Sequence, residues 1–281
     1  MIGDRAFAAI VSLLSLGTLA TQAQARQICV LVADAQSGAI LHEDGDCRSR
    51  VTPASTFKVP LAVIGYDAGF LKTSEIPELP FKPGYPDWIE AWKQPTTPRM
   101  WMANSVVWYS QRITEALGRQ ALERYLSDFD YGNADFSGDA GRDNGLQRAW
   151  LTSSLLVSPI EQVTFMARLV NRQLPVSRQA MDLAMDVVES RTTTDGWTVH
   201  GKTGSAYPRN RDGSFNRARG WGWYVGWASQ EDRTLVFARL DQDEQRHQRS
   251  GGLRARDAFI AEWPELWAQI GSVDSQSDKN P

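Results

Sequence analysis

The segment PASTFKVPLAVIGY, residues 53–66, places a serine, Ser55, three residues before a lysine, Lys58, at the start of an apolar stretch. Residues three apart lie on the same face of a helix, so the two side chains can meet. Apolar residues recur here at helical spacing, which predicts a helix that begins near Ser55 and offers free N–H groups there. The spacing alone is weak evidence, because a capping serine followed by a solvated lysine gives the same pattern. The apolar neighbours of Lys58 favour a buried lysine instead.

A second motif is HGKTGSA, residues 200–206, which lies in a stretch of alternating β-forming residues and is predicted to be a strand. Gly204 leaves room for the backbone of a substrate to approach. Lys202 and the hydroxyl of Thr203 can bind an anionic group. An exposed lysine on an ordinary strand is the alternative interpretation of this motif taken by itself.

Three further motifs lie between these two, and a fourth follows them. They are Ser105-Val106-Val107 with Gln111 after it, Tyr131-Gly132-Asn133, the segment RAWLTSSLLVSPIEQV that contains Trp150 and Leu151, and GGLR, which ends at Arg254. In this order, the whole set resembles the serine penicillin-recognising family of β-lactamases, penicillin-binding proteins and their sensor relatives. S-x-V and Y-G-N resemble the class D β-lactamases, the oxacillinase group, and the resemblance extends over roughly residues 27–268.

The predicted elements are strands at both ends of the chain and helices in the middle. This order predicts one sheet built from both ends with an inserted helical lobe, an α/β (α+β) arrangement. The resemblance implies the serine β-lactamase/penicillin-binding fold, an antiparallel sheet flanked by terminal helices. We expect one catalytic domain over 26–281, with a sheet lobe from 26–65 and 190–271 and a helical lobe over about 66–189. The last helix is expected to be interrupted near Pro264.

The resemblance implies a serine hydrolase that opens the cyclic amide of β-lactam antibiotics and confers resistance to them. Ser55 is the implied nucleophile, which forms an acyl-enzyme. A lysine at its ordinary pKa is protonated, but burial favours the uncharged amine. In class D enzymes this amine reacts with carbon dioxide, so Lys58 is the implied general base in its carbamylated form, N6-carboxylysine. The expected apolar wall around it consists of Phe57, Val107, Trp150 and Leu151.

Further roles in the reaction are implied by the same motifs. Trp150 is the implied hydrogen-bond donor to the carbamate, with an ordinary packing tryptophan as the alternative. Ser105 is expected to relay a proton towards the lactam nitrogen, because a hydroxyl both donates and accepts. The backbone N–H groups of Ser55 and Ser205 are expected to bind the oxyanion.

Substrate binding is implied to depend on charge, because penicillins and cephalosporins carry a carboxylate. Lys202, Thr203 and Arg254 are the expected donors to it, with Arg256 as an alternative to Arg254. The resemblance also places Val107, Leu151 and Gly204 at the substrate site. Tyr131 and Asn133 are expected to be structural braces on the helical lobe.

Composition limits the partners. The 281 residues are 42% hydrophobic and 22% charged, with a formal net charge of -3, which gives no electrostatic reason to expect a nucleic-acid partner. His42, His200 and His247 are widely spaced and do not predict a zinc site. Small molecules are therefore the expected partners. The resemblance implies that they are β-lactams, and it implies carbon dioxide or bicarbonate for the lysine modification and no other cofactor. The sequence leaves the oligomeric state open.

The first residues predict export. Residues 1–25 combine an arginine, an apolar core and a small-x-small ending at Ala25, which is typical of a cleaved signal peptide, with an uncleaved anchor as the alternative. No later stretch is long and apolar enough to span a bilayer, so we expect a mature protein in the periplasm with no membrane contact. In an exported chain the two cysteines, Cys29 and Cys47, favour a disulfide, with two unpaired thiols as the alternative.

The main alternative function is a β-lactam sensor that uses the same serine but stays acylated. Such receptors normally carry several upstream membrane helices, whereas this chain has only a signal-like start. A cell-wall transpeptidase or carboxypeptidase is a third alternative. The S-x-V and Y-G-N motifs argue against it, because they are the wrong inner motifs for those enzymes.

Overall fold

A six-stranded antiparallel sheet organises the molecule, with the strands in the order β2-β1-β6-β5-β4-β3. The computed structural model describes residues 25–277, so the predicted signal peptide lies almost entirely outside the described residues. The strands are β1 (Arg26–Asp34), β2 (Ile40–Gly45), β3 (Ser190–Thr192), β4 (Thr198–Ala206), β5 (Trp221–Gln230) and β6 (Arg233–Gln242). The prediction that both ends of the chain build one sheet around an inserted helical segment is confirmed.

Eight α-helices accompany the sheet within the described range. They are α1 (Lys58–Asp67), α2 (Pro98–Ala103), α3 (Val107–Leu117), α4 (Arg119–Asp128), α5 (Gly145–Arg148), α6 (Pro159–Val170), α7 (Arg178–Asp186) and α8 (Gly251–Ser277). The helix α6 begins with a capping box, in which Ser158 and Glu161 satisfy each other's backbone N–H groups. No helix in residues 25–277 is long and apolar enough to cross a membrane.

Alternation along the central strands gives the sheet two buried faces. On β1, Leu31 and Ala33 belong to the larger core, which the sheet shares with α1 and α6. Val30 and Val32 point the other way, into a second core that is covered by α8. The site described below lies on the first of these faces, between the sheet and the helical segment.

The helix α8 corrects one expectation, because it continues through Pro264 without interruption. A proline removes one backbone hydrogen bond from the helix. On either side of it, Trp263 and Leu266 are buried against the sheet, together with Ile270 further along. Their burial holds both halves of the helix on the same surface, so the packing outweighs the lost hydrogen bond.

The first two strands form an antiparallel hairpin. The strands β1 and β2 are joined by a turn near Gln36 and Ser37, and Gly38 has a positive φ of 73°. Cys29 and Cys47 form a disulfide with Cα atoms 5.1 Å apart, which confirms the predicted bridge. The bridge ties β1 to the segment that leads towards Ser55.

Candidate active site

The serine of the first motif lies in a tight turn at the start of α1. A 3-10 turn covers Ala54–Phe57 and runs directly into the α-helix, which begins at Lys58. The hydroxyl of Thr56 donates to the Pro53 carbonyl oxygen at 2.7 Å and accepts from Gln162 at 2.8 Å. These bonds hold the turn that carries Ser55 against the helix α6.

Lys58 is completely buried, with no solvent-exposed surface. Burial lowers the pKa of its amine well below the ordinary value, and repulsion from Lys202 lowers it further. Its amine lies 3.0 Å from the hydroxyl oxygen of Ser110 and 5.9 Å from the ring centre of Trp101. The lysine therefore has the dry environment that a neutral amine requires.

Trp150 packs against Phe57, the residue that precedes Lys58. Its ring stacks on Phe57 at 5.6 Å and on Phe136 at 5.9 Å, and the indole is fully buried. The indole nitrogen has no hydrogen-bond partner among the described residues. A buried N–H without an acceptor is costly, so this donor fits an oxygen atom that is supplied from outside the polypeptide.

The two other residues of the expected wall differ in burial. Val107 is 2% exposed and belongs to the same apolar cluster as Phe57, whereas Leu151 is half-buried and packs at the edge of that cluster. Val107 therefore lies in the protein interior, whereas one side of Leu151 reaches the surface.

The lysine of the second motif meets the serine of the S-x-V motif. Lys202 lies on β4, and its amine donates to the Ser105 hydroxyl at 2.5 Å. Ser105 has a positive φ of 55°, a conformation that costs free energy for a residue with a side chain. Burial lowers the pKa of Lys202 to about 8, so the charge of this lysine titrates near neutral pH.

Glycines allow β4 to approach both neighbouring elements closely. A Cβ atom on Gly204 would lie 2.9 Å from the Pro53 carbonyl oxygen and 3.0 Å from Thr56 Cγ2. The absence of that atom lets the lysine–threonine–glycine strand lie against the turn that carries Ser55. On the other side, the Gly252 N–H at the start of α8 donates to the Ser205 hydroxyl at 2.9 Å.

Comparison with known proteins agrees with this geometry. Residues 28–263 match the family model of the penicillin binding protein transpeptidase domain. β-Lactamase OXA-9 from Klebsiella pneumoniae is 42% identical over 239 residues, which cover 85% of this chain and 87% of that protein. The chain belongs to the class D β-lactamases.

Two further relatives support the assignment. β-Lactamase OXA-1 from Escherichia coli is 39% identical over 186 residues, which cover 65% of this chain and 66% of that protein. The crystal structure of the class D β-lactamase OXA-427 superimposes with a TM-score of 0.80 at 47% identity, covering 86% of this chain and 99% of that one. The serine β-lactamase/penicillin-binding fold expected from the motifs is thereby confirmed.

In this class D β-lactamase the late arginine is not free. Arg254 forms an ion pair with Asp243, which follows β6, and its Nε donates to the Arg249 carbonyl oxygen at 3.2 Å. The alternative, Arg256, pairs with Asp257 at 2.9 Å. Neither guanidinium forms a hydrogen bond with Lys202 or Thr203 among the described contacts, so a substrate carboxylate would have to share Arg254 with Asp243.

The Y-G-N residues connect elements around the site. Tyr131 is fully buried and donates to the Gln162 side chain at 3.1 Å, and Gln162 in turn contacts Thr56. Asn133 donates to the Ser154 carbonyl oxygen at 2.8 Å and accepts from the Leu156 N–H at 2.9 Å. Both residues therefore brace segments that carry Ser55 and Trp150.

Several polar residues of the site carry no recognised motif. Ser110 and Trp101 contact the buried lysine, and Thr52 accepts from the Thr152 N–H at 3.0 Å while donating to the Trp150 carbonyl oxygen at 2.9 Å. The sequence signal for Ser110 is its position three residues after Val107, which places both on one face of α3. Nothing in the sequence indicates that Trp101, on another helix, reaches the same point.

A cavity of about 520 Å³ adjoins the site beside Ser205. Its walls include three aromatic side chains, two arginines and the exposed side of Leu151; the aromatic and basic members are Trp88, Tyr207, Phe215, Arg148 and Arg217. Among residues 25–277, no group of histidine, cysteine or acidic side chains is arranged to hold a metal ion. The histidine that begins the second motif, His200, instead stacks on Trp227 at 4.7 Å.

Proposed function

We propose that this protein hydrolyses the amide bond of penicillins and related β-lactams through an acyl-enzyme on Ser55, with carbamylated Lys58 as the general base. The protein would thereby confer resistance to these antibiotics. Membership of the class D β-lactamases supports the reaction class, since the relatives named above are β-lactamases. The observation that carries the finer proposal is the buried Lys58 amine in a pocket that also contains the unpartnered indole nitrogen of Trp150.

The dry pocket supports the modification of Lys58. Carbon dioxide reacts with an uncharged amine, and both burial and the charge of Lys202 lower the pKa of the Lys58 amine. The product would carry a carboxylate, for which Trp150 Nε1 is an available donor. Carbamylation would thereby convert the Lys58 side chain from a neutral amine, which is a weak proton acceptor at neutral pH, into an anionic base.

The base then serves both halves of the reaction. In acylation, it takes the proton from Ser55 as the hydroxyl oxygen attacks the lactam carbonyl carbon, and the C–N bond of the ring breaks. Ser105 gives its hydroxyl proton to the lactam nitrogen and receives in its place the proton that the base took from Ser55, which leaves the base free again; the Lys202–Ser105 hydrogen bond supports this relay. In deacylation, the base takes a proton from a water molecule that attacks the acyl carbon, and this proton passes to the Ser55 oxygen as the ester C–O bond breaks. The backbone N–H groups of Ser55 and Ser205 would stabilise the oxyanion in both steps.

Charge and shape near β4 support the choice of substrate. Lys202 and Thr203 would bind the substrate carboxylate, assisted by Arg254 if the guanidinium is shared with Asp243. The adjoining cavity, with its aromatic walls, would receive the acyl side chain of the antibiotic. We propose that this reaction takes place in the periplasm, because residues 1–25 resemble an export signal.

Steady-state turnover of a chromogenic cephalosporin tests the proposal. We expect many turnovers per protein molecule, and a loss of activity when carbon dioxide is stripped from the buffer that added bicarbonate reverses. A single stoichiometric burst would assign the same site to a sensor that stays acylated. Ser55→Ala should abolish turnover while it leaves the fold intact. Turnover that is indifferent to bicarbonate would refute the carbamate while leaving the acyl-enzyme in place.

A further inference from the structure

A buried serine outside the proposed reaction lies directly against the reactive lysine. Ser110, on α3, is fully buried, and its hydroxyl oxygen is 3.0 Å from Lys58 Nζ. The indole nitrogen of Trp101 donates to the same oxygen at 2.9 Å. Trp101 is itself fully buried and stacks on Tyr109 at 5.5 Å, so the donor is fixed in place. These contacts fix both the position and the orientation of the Ser110 hydroxyl.

We propose that Ser110 is a positioning residue that fixes the plane of the carbamate on Lys58, with Trp101 holding the serine hydroxyl in orientation. The inference rests on the carbamylation of Lys58 in the proposed function. It concerns how the base is aimed at Ser55, not which residue acts as the base.

The hydrogen-bond capacity of the serine sets what it can do. An indole nitrogen is a donor only, so Trp101 must occupy one of the two lone pairs on the Ser110 oxygen. One lone pair and the hydroxyl proton remain. Ser110 can therefore donate to a free amine on Lys58, or accept from an N–H on it, and the other contacts of the serine stay unchanged.

The chemistry of carbamylation leaves one N–H for this acceptor. The lone pair of the free amine forms a bond to the carbon of carbon dioxide, one carbon–oxygen π bond becomes a carboxylate, and one amine proton passes to the solvent. A single N–H remains on Lys58, and Ser110 can accept it. The two carboxylate oxygens then face other partners, and Trp150 Nε1 is available for one of them.

The charged amine fits the pocket less well. An ammonium group has three N–H donors, and Ser110 is the only hydrogen-bond partner of Lys58 Nζ within the described residues. Two buried donors would then lack an acceptor, which is unfavourable in a dry site. The carbamate satisfies its only N–H with the same serine, so this contact completes the N–H donors of the carbamate but not those of the ammonium.

Because the carbamate is planar, the hydrogen bond between its N–H and Ser110 can help to orient the whole group. The nitrogen of a carbamate is conjugated with its carboxylate, as in an amide, so the N–H and both oxygens lie in one plane. When Ser110 binds the N–H and Trp150 binds an oxygen, the rotation of that plane is fixed. The remaining oxygen is then directed by two contacts instead of one.

The test compares Ser110→Ala with the wild-type enzyme across a range of bicarbonate concentrations. Loss of a buried acceptor should raise the bicarbonate concentration for half-maximal activity by about 10- to 100-fold. The 13C NMR signal of the carbamate, measured with labelled bicarbonate, should weaken at low bicarbonate and return at high bicarbonate. At saturating bicarbonate, kcat should remain below that of the wild type while KM changes little, because the base is present but less well aimed.

A matched control lies one turn further along the same helix. Thr114 is also fully buried, and its hydroxyl donates to the Leu146 and Gln111 carbonyl oxygens; among the described hydrogen bonds it has none with Lys58. Thr114→Val should lower the melting temperature but leave the bicarbonate dependence and the carbamate signal as in the wild type. Trp101→Phe keeps the ring stack and removes only the donor, so it should shift the bicarbonate dependence in the same direction as Ser110→Ala, by less.

The possible results separate the two proposals. If the wild type shows a carbamate signal and both Ser110→Ala and Trp101→Phe respond to bicarbonate as the wild type does, the positioning role is refuted and the carbamate stands. If the wild type shows no carbamate signal at saturating bicarbonate, both proposals fail. Should Ser110→Ala not yield folded protein, the response of Trp101→Phe decides between the first result and the expected shift.

Discussion

Replacing Trp150 with phenylalanine tests the most distinctive feature of the pocket. The change keeps an aromatic ring against Phe57 and Phe136 but removes the buried indole N–H, for which residues 25–277 provide no hydrogen-bond partner. A buried donor without an acceptor costs about 1 to 3 kcal/mol, so its removal should offset much of the packing lost with the smaller ring. In carbon dioxide-free buffer the unfolding free energy of Trp150→Phe should therefore lie close to that of the wild type.

Bicarbonate should separate the two proteins. A hydrogen bond to a charged group contributes about 1.5 to 3 kcal/mol, so the variant should bind carbon dioxide about 10- to 150-fold more weakly. Anything that binds only the folded state raises its stability, and the gain on adding bicarbonate should shrink by up to the same amount in the variant. Deacylation should also be slower in the variant, because Lys58 carries the carbamate for a smaller fraction of the time.

The measurement combines urea denaturation, with and without bicarbonate, and turnover across bicarbonate concentrations. Trp263→Phe is the matched control, because that indole nitrogen is also buried without a partner but belongs to the core under α8. The control should leave the bicarbonate response unchanged. If Trp150→Phe gains as much stability and activity from bicarbonate as the wild type does, Trp150 has no part in the carbamate site.

Three further predictions concern charge, the disulfide and backbone approach. Because the pKa of Lys202 is lowered to about 8, its charge is lost as the pH rises through 8. We therefore expect kcat/KM to fall in this pH range through a rise in KM. Lys202→Arg should move this fall to higher pH. Replacing Cys29 and Cys47 by serine opens a bridge between residues 18 apart in sequence, so urea denaturation should show a loss of about 3 kcal/mol, with activity retained below the midpoint. Gly204→Ala places a Cβ 2.9 Å from the Pro53 carbonyl oxygen, so β4 must move away from the turn that carries Ser55. We expect kcat/KM to fall by about tenfold or more, while the melting temperature changes little. An unchanged pH profile, an unchanged denaturation midpoint or a fully active alanine variant would contradict the respective reasoning.

Local patterns carried most of the fold. Period-two alternation predicted the strand β4, and helical spacing predicted the helix near Ser55, which is α1 preceded by a 3-10 turn. These signals depend on residues within one or two turns of each other, which is why they can be read from a single chain. The same reasoning was wrong at Pro264, because the burial of Trp263 and Leu266 against the sheet is not visible in the local pattern.

The site divides in the same way. Ser55, Lys58, Ser105 and Lys202 stand in short motifs, and their order along the chain indicated the family before any geometry was known. The ion pair of Arg254 with Asp243 could not be anticipated, because the acidic residue lies in a long polar connection that precedes α8. An arginine expected to be free for a substrate is thus already neutralised by its neighbour.

The sequence by itself indicated the family through the motifs that contain Ser55 and Lys58, and it predicted the bridge between the two cysteines and the one sheet that joins both ends of the chain. Only the tertiary structure decided what surrounds Lys58. Ser110 and Trp101 lie 52 and 43 residues beyond Lys58, on two different helices, and their contacts arise from how those helices pack. The orientation of a hydrogen bond depends on distances of a few tenths of an ångström between such elements, and residue spacing along the chain does not specify distances of that kind.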